Sequence, residues 1–173
     1  MTHTHHLAIA LLLLLLMHSA TSAQNCNNNP NEPYNADGVT QAEFAVYELL
    51  YDMQYQQPIR FQWLTPQETA RLHASRNTKR MLTSLSRTGK KNYPRLLKTT
   101  HAKMEALDFD WDDYSIKNGI AIPDTSHEGA PLYTIEASVV SDDNLITIII
   151  HDAWFIEGRC CAFSSIDIIG TRE

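Results

Sequence analysis

The segment from residue 132 to residue 169 constrains the fold most, because its apolar residues recur as they do in β-strands. Leu132 to Val140 alternates apolar and polar residues, which is typical of a strand with one wet face. Leu145 to Ile156 is almost continuously apolar and predicts a central strand buried on both faces. Further strands are expected from Ser115 to Ile122 and from Arg159 to Ile169. Turn residues between these segments predict an antiparallel meander.

Two start signals predict helices ahead of the strands. Thr40 and Glu43 form a capping-box pattern, so a helix begins after Thr40. The same pattern at residues 65–68, with a proline at the first helical position, starts a second helix that we expect to end at Gly89, either without interruption or with a break near Asn77. A third, shorter helix is predicted after Pro94. Helices followed by a meander indicate an α+β domain, in which a curled sheet packs against the N-terminal helices.

The amino-terminal residues have the pattern of an exported protein. An apolar block, Leu7 to Met17, precedes small residues that signal peptidase accepts, so residues 1–23 are predicted to be a cleavable signal peptide. The block is too short to span a bilayer, and we expect no stable membrane insertion. Residues 24–38, rich in Asn and Pro, predict a flexible tail, and residues 39–173 a single domain. The predicted location is the periplasm, with an extracellular location as the alternative.

The sequence contains three cysteines, and an oxidising compartment favours a disulfide between two of them. Cys26 is expected to pair with either Cys160 or Cys161, which would stabilise the fold by about 4 to 5 kcal/mol. Neither the cysteines nor the histidines have the spacing of a metal site, so no metal is expected.

Charge is strongly segregated along the chain. The formal net charge is −6, yet residues 71–103 hold ten of the fourteen Lys and Arg and no Asp or Glu. This segment is either a solvated face or a docking surface for an anionic partner, and the overall charge argues against nucleic acid. An acidic run, Asp108 to Asp113, lacks the glycine and glutamate of a calcium loop and is a candidate surface for a basic partner. The candidate partner-binding residues are Arg76, Lys79, Arg80, Lys90, Lys91, Asp110, Asp112 and Asp113.

Catalytic motifs such as GxSxG, a Walker loop or GxGxxG do not occur in the sequence. We therefore expect a binding protein without a cofactor, not an enzyme. If the domain encloses a ligand cavity, one of His151 and Asp152 faces the interior, because neighbouring side chains of a strand point to opposite faces. Tyr133 is the third cavity candidate.

Four stretches carry a resemblance to a known family: Val46 to Tyr51, Trp63 to Pro66, Leu107 to Tyr114, and Ile166 to Ile168. In this order they resemble the nuclear transport factor 2-like superfamily, and more narrowly its exported bacterial branch. The resemblance implies a cone, a strongly bent sheet wrapped around helices with a cavity at the wide end. Cystatin-like folds share the combination of helix and curled meander and are the alternative. Several immunity proteins of Gram-negative bacteria belong to this superfamily and act by occluding a toxin.

These observations support three hypotheses on function. The first is a periplasmic immunity or inhibitor protein that binds and neutralises a cognate antibacterial toxin or another exported protein. The second is a small-molecule-binding or enzymatic protein that uses the cavity of the cone. The third is an accessory protein of an envelope or secretion apparatus. The sequence leaves the partner and the oligomeric state open.

Overall fold

The structure is a computed structural model that describes residues 30–31, 39–124, 131–142 and 144–171. In this part of the chain three helices precede five strands. The helices are α1 (Gln41–Tyr55), α2 (Pro66–Arg71) and α3 (Arg76–Glu105), and the strands are β1 (Ser115–Asp124), β2 (Leu132–Ser141), β3 (Asn144–Ile156), β4 (Arg159–Ala162) and β5 (Ser165–Thr171). This order confirms the predicted α+β class. The predicted signal peptide and most of the predicted tail lie outside the described residues.

The strands form one antiparallel sheet that is strongly curled into a half-barrel. β1 pairs with β2 and β2 with β3, while the other edge of β3 is shared by β5 and β4. The change of partner occurs where β3 bends: Asp152 has a positive φ of 53°, and the register with β2 shifts beside it. Such bulges increase the local twist and bend a strand. The bend of β3 therefore produces the cone-like curl.

Two predictions about the strands need correction. Before its bend β3 is buried on one face only, because residues 144–151 alternate and Leu145 on the outer face is 47% exposed. Beyond the bend the consecutive residues Ala153, Trp154 and Phe155 are all buried, as predicted for both faces. The predicted strand from Arg159 to Ile169 is instead two strands, separated by Phe163 and Ser164. The Ser164 amide donates to the carbonyl of His151 at this break, which fixes the point where β3 passes from one partner to the other.

The helix starts predicted at Thr40 and Thr65 are correct, whereas the predicted helix end at Gly89 and the predicted separate helix after Pro94 are wrong. Both capping boxes form, at Thr40 and at Thr65. However, the helix that starts at Pro66 ends at residue 71, and α3 then runs without interruption through Gly89 and Pro94. Tertiary packing of its buried face overrides the local preference of these two residues to end a helix.

The core lies between the concave face of the sheet and the helices α1 and α3. It contains fully buried side chains of α1, α3, β2 and β3, including Leu49, Leu50, Met53, Leu97, Met104, Ile135, Ile146, Ile148 and Ile150. A second, smaller cluster joins the first half of α3 to β4 through Leu82 and Cys161. Alternation of buried and half-buried residues along β2 confirms the predicted wet outer face.

The edge of β1 is tied to the residues before and at the start of α1. The Asn31 side chain bonds both the amide and the carbonyl of Ala121, at 2.7 and 2.8 Å. Glu43 accepts from the amide of Gly119, where a bulge in β1 brings the strand close to the helix. A Cβ at Gly119 would lie 2.2 Å from Cγ of Glu43, so only glycine fits at this approach. The start of the domain is thereby fixed to the sheet.

Within the described residues, no helix is both long and apolar enough to cross a membrane.

Candidate functional site

The outer face of α3 carries a row of cations, which we call the cationic stripe. Its members are spaced by three, four or seven residues, so they share one side of the helix, opposite the buried Leu82, Leu97 and Met104. All of them are exposed: Arg76, Arg80, Arg87, Lys91, Arg95 and Lys98. At 1.5 Å per residue the stripe is about 33 Å long.

The charge of the cationic stripe is not neutralised by neighbouring acids. Within the described part of the chain, the ion pairs are His101 with Glu105, His151 with Asp167, and Arg159 with Glu68. None of these involves a member of the stripe. α3 carries no acidic residue before Glu105, near its end, so the stripe also lacks partners along the helix. A row of uncompensated cations on a rigid helix produces a directed positive potential.

Two of the predicted basic residues differ from the stripe in their surroundings. Lys79 is half-buried, and its ammonium donates to the carbonyl of Ala70 at 2.8 Å, near the end of α2. Lys90 lies on the flank of the helix and lines a pocket described below. The structure therefore brings three of the five predicted basic residues, Arg76, Arg80 and Lys91, onto one face.

The predicted acidic residues lie in the loop between α3 and β1. Asp110 is half-buried, and its Oδ1 accepts from the amide of Asp112, so this carboxylate helps to shape the loop. Asp112 and Asp113 are exposed. Phe109, within the same run, packs inward, since this ring is only 5% exposed. Only two of the three acids are thus free to face a partner.

A pocket of about 520 Å³ opens between the loop before α2 and the middle of α3. Apolar and aromatic residues form its walls, together with charged residues. The lining residues are Pro58, Phe61, Gln62, Trp63, Thr65, Glu68, Lys90, Tyr93, Pro94 and Arg159. Apart from Lys90, none of these lining residues is predicted as a site residue from the sequence, because they come from three distant segments.

Arg159 is held in place at the side of this pocket. Its Nη1 donates to the backbone carbonyl of Gln62, and its Nη2 donates to Oε1 of Glu68 at 2.8 Å. Glu68 is itself fixed by the Thr65 amide and hydroxyl, as part of the capping box of α2. Burial opposes ionisation of Glu68, but these hydrogen bonds and the neighbouring guanidinium lower its pKa. Arg159 and Glu68 therefore form a charged and pre-organised pair.

Beneath the pocket, a buried carboxylate fixes the loop that forms one wall. Asp52 is fully buried, and its two oxygens accept from the amides of Ile59, Arg60 and Phe61 and from the Tyr93 hydroxyl. Burial and the nearby Asp52 raise the pKa of Tyr93, so its hydroxyl remains a donor. These four bonds hold the loop against α3.

Glu48 lies one helical turn before Asp52 and is 8% exposed. Burial raises its pKa to about 7, with a smaller contribution from Asp52, while Arg159 and Arg60 oppose the rise. Its Oε2 has no hydrogen-bond partner within the described residues. Glu48 does not line the pocket, so we assign it to the interior of the domain and not to a ligand site.

The three predicted cavity residues lie away from the pocket. His151 alternates with the buried Ile150, which places it on the outer face of β3, where its Nε2 lies 3.0 Å from Oδ2 of Asp167. Asp152 occupies the bend of the strand and is half-buried. Tyr133 packs edge to face against Phe155. None of the three lines the pocket, which is formed by residues 58–68, by α3 and by Arg159.

The two adjacent cysteines are both buried and form no disulfide with each other. Burial raises the pKa of Cys161 to about 12 and that of Cys160 well above its ordinary value, which disfavours the nucleophilic thiolate. Cys26 lies outside the described residues, and the predicted disulfide to it stays a prediction. The described residues include no group of three side chains suited to hold a metal ion.

Comparisons of this chain with protein-family models, curated proteins and solved structures give no match. The resemblance to the nuclear transport factor 2-like superfamily therefore stays a prediction, while the α+β cone is the observed fold.

Proposed function

We propose that this chain is an exported inhibitor of the immunity kind, which binds an acidic protein partner through the cationic stripe. The observation that carries the proposal is the uncompensated row of six exposed cations on one face of α3. If the cationic stripe served only to keep the helix soluble, acidic residues could also lie on this face. Opposite charges four residues apart ordinarily stabilise a surface helix, and the cationic stripe contains no such pair.

The charge balance of the chain favours a protein partner over nucleic acid. All twenty Asp and Glu lie outside residues 71–103, which hold ten of the fourteen Lys and Arg. A polyanion long enough to follow the stripe would also meet the acidic remainder of the domain. A compact acidic patch on a folded protein faces only the stripe, and complementary charge of this kind gives fast and selective association.

The exported location and the antibacterial toxin as partner form part of the same proposal. They depend on the predicted signal peptide and on the resemblance to exported immunity proteins. An inhibitor that must reach its toxin before the toxin acts benefits from electrostatic steering, which raises the association rate. The binding energy itself is expected to come from contacts around the stripe that exclude water.

The proposal is tested by capture of partners with the tagged mature protein, residues 24–173, from its native cells. A captured protein supports the proposal only if it inhibits growth when exported without this chain and is harmless when exported with it. The affinity of the purified pair is then compared for wild type, Arg87→Glu and the matched control Lys117→Glu. Lys117 is an exposed lysine on β1, away from the stripe.

We expect Arg87→Glu to weaken binding by roughly tenfold or more, mainly through the association rate, and the effect to shrink as salt is raised. Lys117→Glu should leave the affinity unchanged. Equal effects of the two reversals would show that only the net charge matters and would contradict docking on the stripe.

A further inference from the structure

We infer that the pocket beside α3 is a separate binding site for a small monocarboxylate that carries a flat apolar group. This inference does not depend on the proposed function, because it concerns the pocket and not the outer face of the helix. The pocket has a volume of about 520 Å³, which is within the range of small-molecule sites. Its walls and its charges each restrict the class of ligand.

The apolar walls favour a flat group. Trp63 lies 5.0 Å from Phe61 and 5.4 Å from Tyr93 between ring centroids, so the aromatic wall is packed from behind and does not need to rearrange. Pro58 and Pro94 provide rigid apolar surface at the exposed margin. Aromatic and proline surfaces of this kind bury planar groups at little cost in conformational entropy.

Pro94 is an unusual residue at this wall of the pocket. A proline inside a helix removes a backbone hydrogen bond and costs about 3 kcal/mol. Here it lies in the middle of a helix of 30 residues, one turn after Lys90, and both residues line the pocket. The helix therefore retains a costly residue at the position where it borders the pocket.

The charges favour one carboxylate. Lys90 is exposed and forms no ion pair within the described residues, so its ammonium is available to a ligand. Arg159 is already bonded to Glu68, and this pair adds no net charge. Among the residues that line the pocket, Lys90 thus carries the one charge without an ion-pair partner. A phosphate or other dianion would be opposed by Glu68, whereas a monocarboxylate matches the charge of Lys90.

We propose to test this site with phenylacetate as the probe and phenylacetamide as its neutral counterpart, with the full mature protein. Binding is followed by NMR through the indole signal of Trp63, which reports on the pocket, while Trp111 and Trp154 serve as internal references. The variants are Lys90→Ala and its matched control Lys91→Ala. Lys91 is equally exposed but belongs to the cationic stripe and does not line the pocket.

The expected result is saturable binding of phenylacetate that shifts the Trp63 signal. Binding should weaken by roughly tenfold in Lys90→Ala and with phenylacetamide, because each change removes the same charged contact. Lys91→Ala should bind as wild type does. Equal affinities for the acid and the amide would overturn the inference, as would an unchanged affinity of Lys90→Ala.

A second variant keeps the test independent of the charge. Gln62 is exposed and lines the pocket, and Arg159 uses only its backbone carbonyl, so Gln62→Trp should fill the pocket without loss of that bond. The matched control is Gln67→Trp, at an exposed position of α2 outside the pocket. Phenylacetate should no longer bind to Gln62→Trp and should bind to Gln67→Trp. A failure of phenylacetate to shift Trp63 in the wild type, up to its solubility limit, would refute the site.

Discussion

The indole of Trp63 lies directly against the α-carbon of Gly89, so that a Cβ at position 89 would be 2.1 Å from Cζ3 of the ring. The absence of a side chain at this turn of α3 lets the loop before α2 approach the helix. Gly89, where the sequence predicts a helix end, is therefore a contact point in the middle of a helix. Trp63 fills the space that any other residue would occupy.

Replacement of this glycine should destabilise the domain. An alanine at an ordinary helical position gains about 1 kcal/mol over glycine, but at Gly89 it would displace the packed indole. We expect Gly89→Ala to lower the free energy of unfolding by about 1 to 3 kcal/mol, as overpacking does. The adjacent exposed Thr88, changed to alanine, is the control and should have little effect. Urea unfolding measures both, and a stabilised Gly89→Ala would contradict the contact.

Loss of the hydroxyl of Tyr93 should weaken the interior around Asp52. The buried carboxylate of Asp52 would keep its three backbone donors but lose its fourth bond. Because hydrogen bonds to a charged group contribute about 1.5 to 3 kcal/mol, Tyr93→Phe should cost about this much in unfolding free energy. Tyr55→Phe, at a half-exposed tyrosine of α1, is the control. If both variants were equally stable, the bond to Asp52 would contribute nothing.

The stability of the domain should fall with pH because of Glu48. Its pKa is about 7 in the folded protein, above the ordinary value of 4.5, so the folded state holds one more proton than the unfolded state between these values. The contribution of Glu48 to stability is therefore fully present below about pH 4.5 and is lost as the pH rises to about 7, by at most about 3 kcal/mol. Glu48→Gln should remove this part of the decline. Urea unfolding of both proteins from pH 5 to pH 8 gives the difference, and parallel curves would refute it.

Removal of His151 should have little effect on the fold. Its ion pair with Asp167 lies on the outer face of the sheet, with side-chain exposures of 37% and 61%. Exposed pairs of this kind contribute about 0 to 1 kcal/mol. His151→Ala should therefore lower the unfolding free energy by less than this amount and leave phenylacetate binding unchanged. A large loss of stability or of binding would place His151 in the interior after all.

The features that the sequence predicts correctly are those whose partners are close in the chain. The capping boxes at Thr40 and Thr65 each join residues three positions apart, and the alternation along β2 follows from one buried face. The same local information predicts a helix end at Gly89 and a new helix after Pro94, where tertiary contacts decide otherwise. Local rules succeed here only where no distant residue competes with them.

The pocket could not be predicted from the sequence, because its lining meets only in the folded chain. Arg159 and Glu68 are 91 positions apart, and the capping-box pattern that contains Glu68 gives no indication of Arg159. One signal was available: Glu48 and Asp52 lie one helical turn apart beside the apolar face of α1, which is unusual for two acids. Such a pair indicates a polar interior, although it does not locate the pocket.

The hydrogen bonds between Asn31 and Ala121 affect how separate copies of this chain can associate. β1 is an edge strand, and the unpaired backbone groups of an edge strand can form hydrogen bonds with the same strand of another copy. The amide group of Asn31 occupies both backbone groups of Ala121, as a neighbouring strand would. Asn31 thus covers this point of the edge, with a residue that lies only a few positions after the predicted cleavage site. Loss of Asn31 would leave both backbone groups of Ala121 open to pairing with the same strand of another copy.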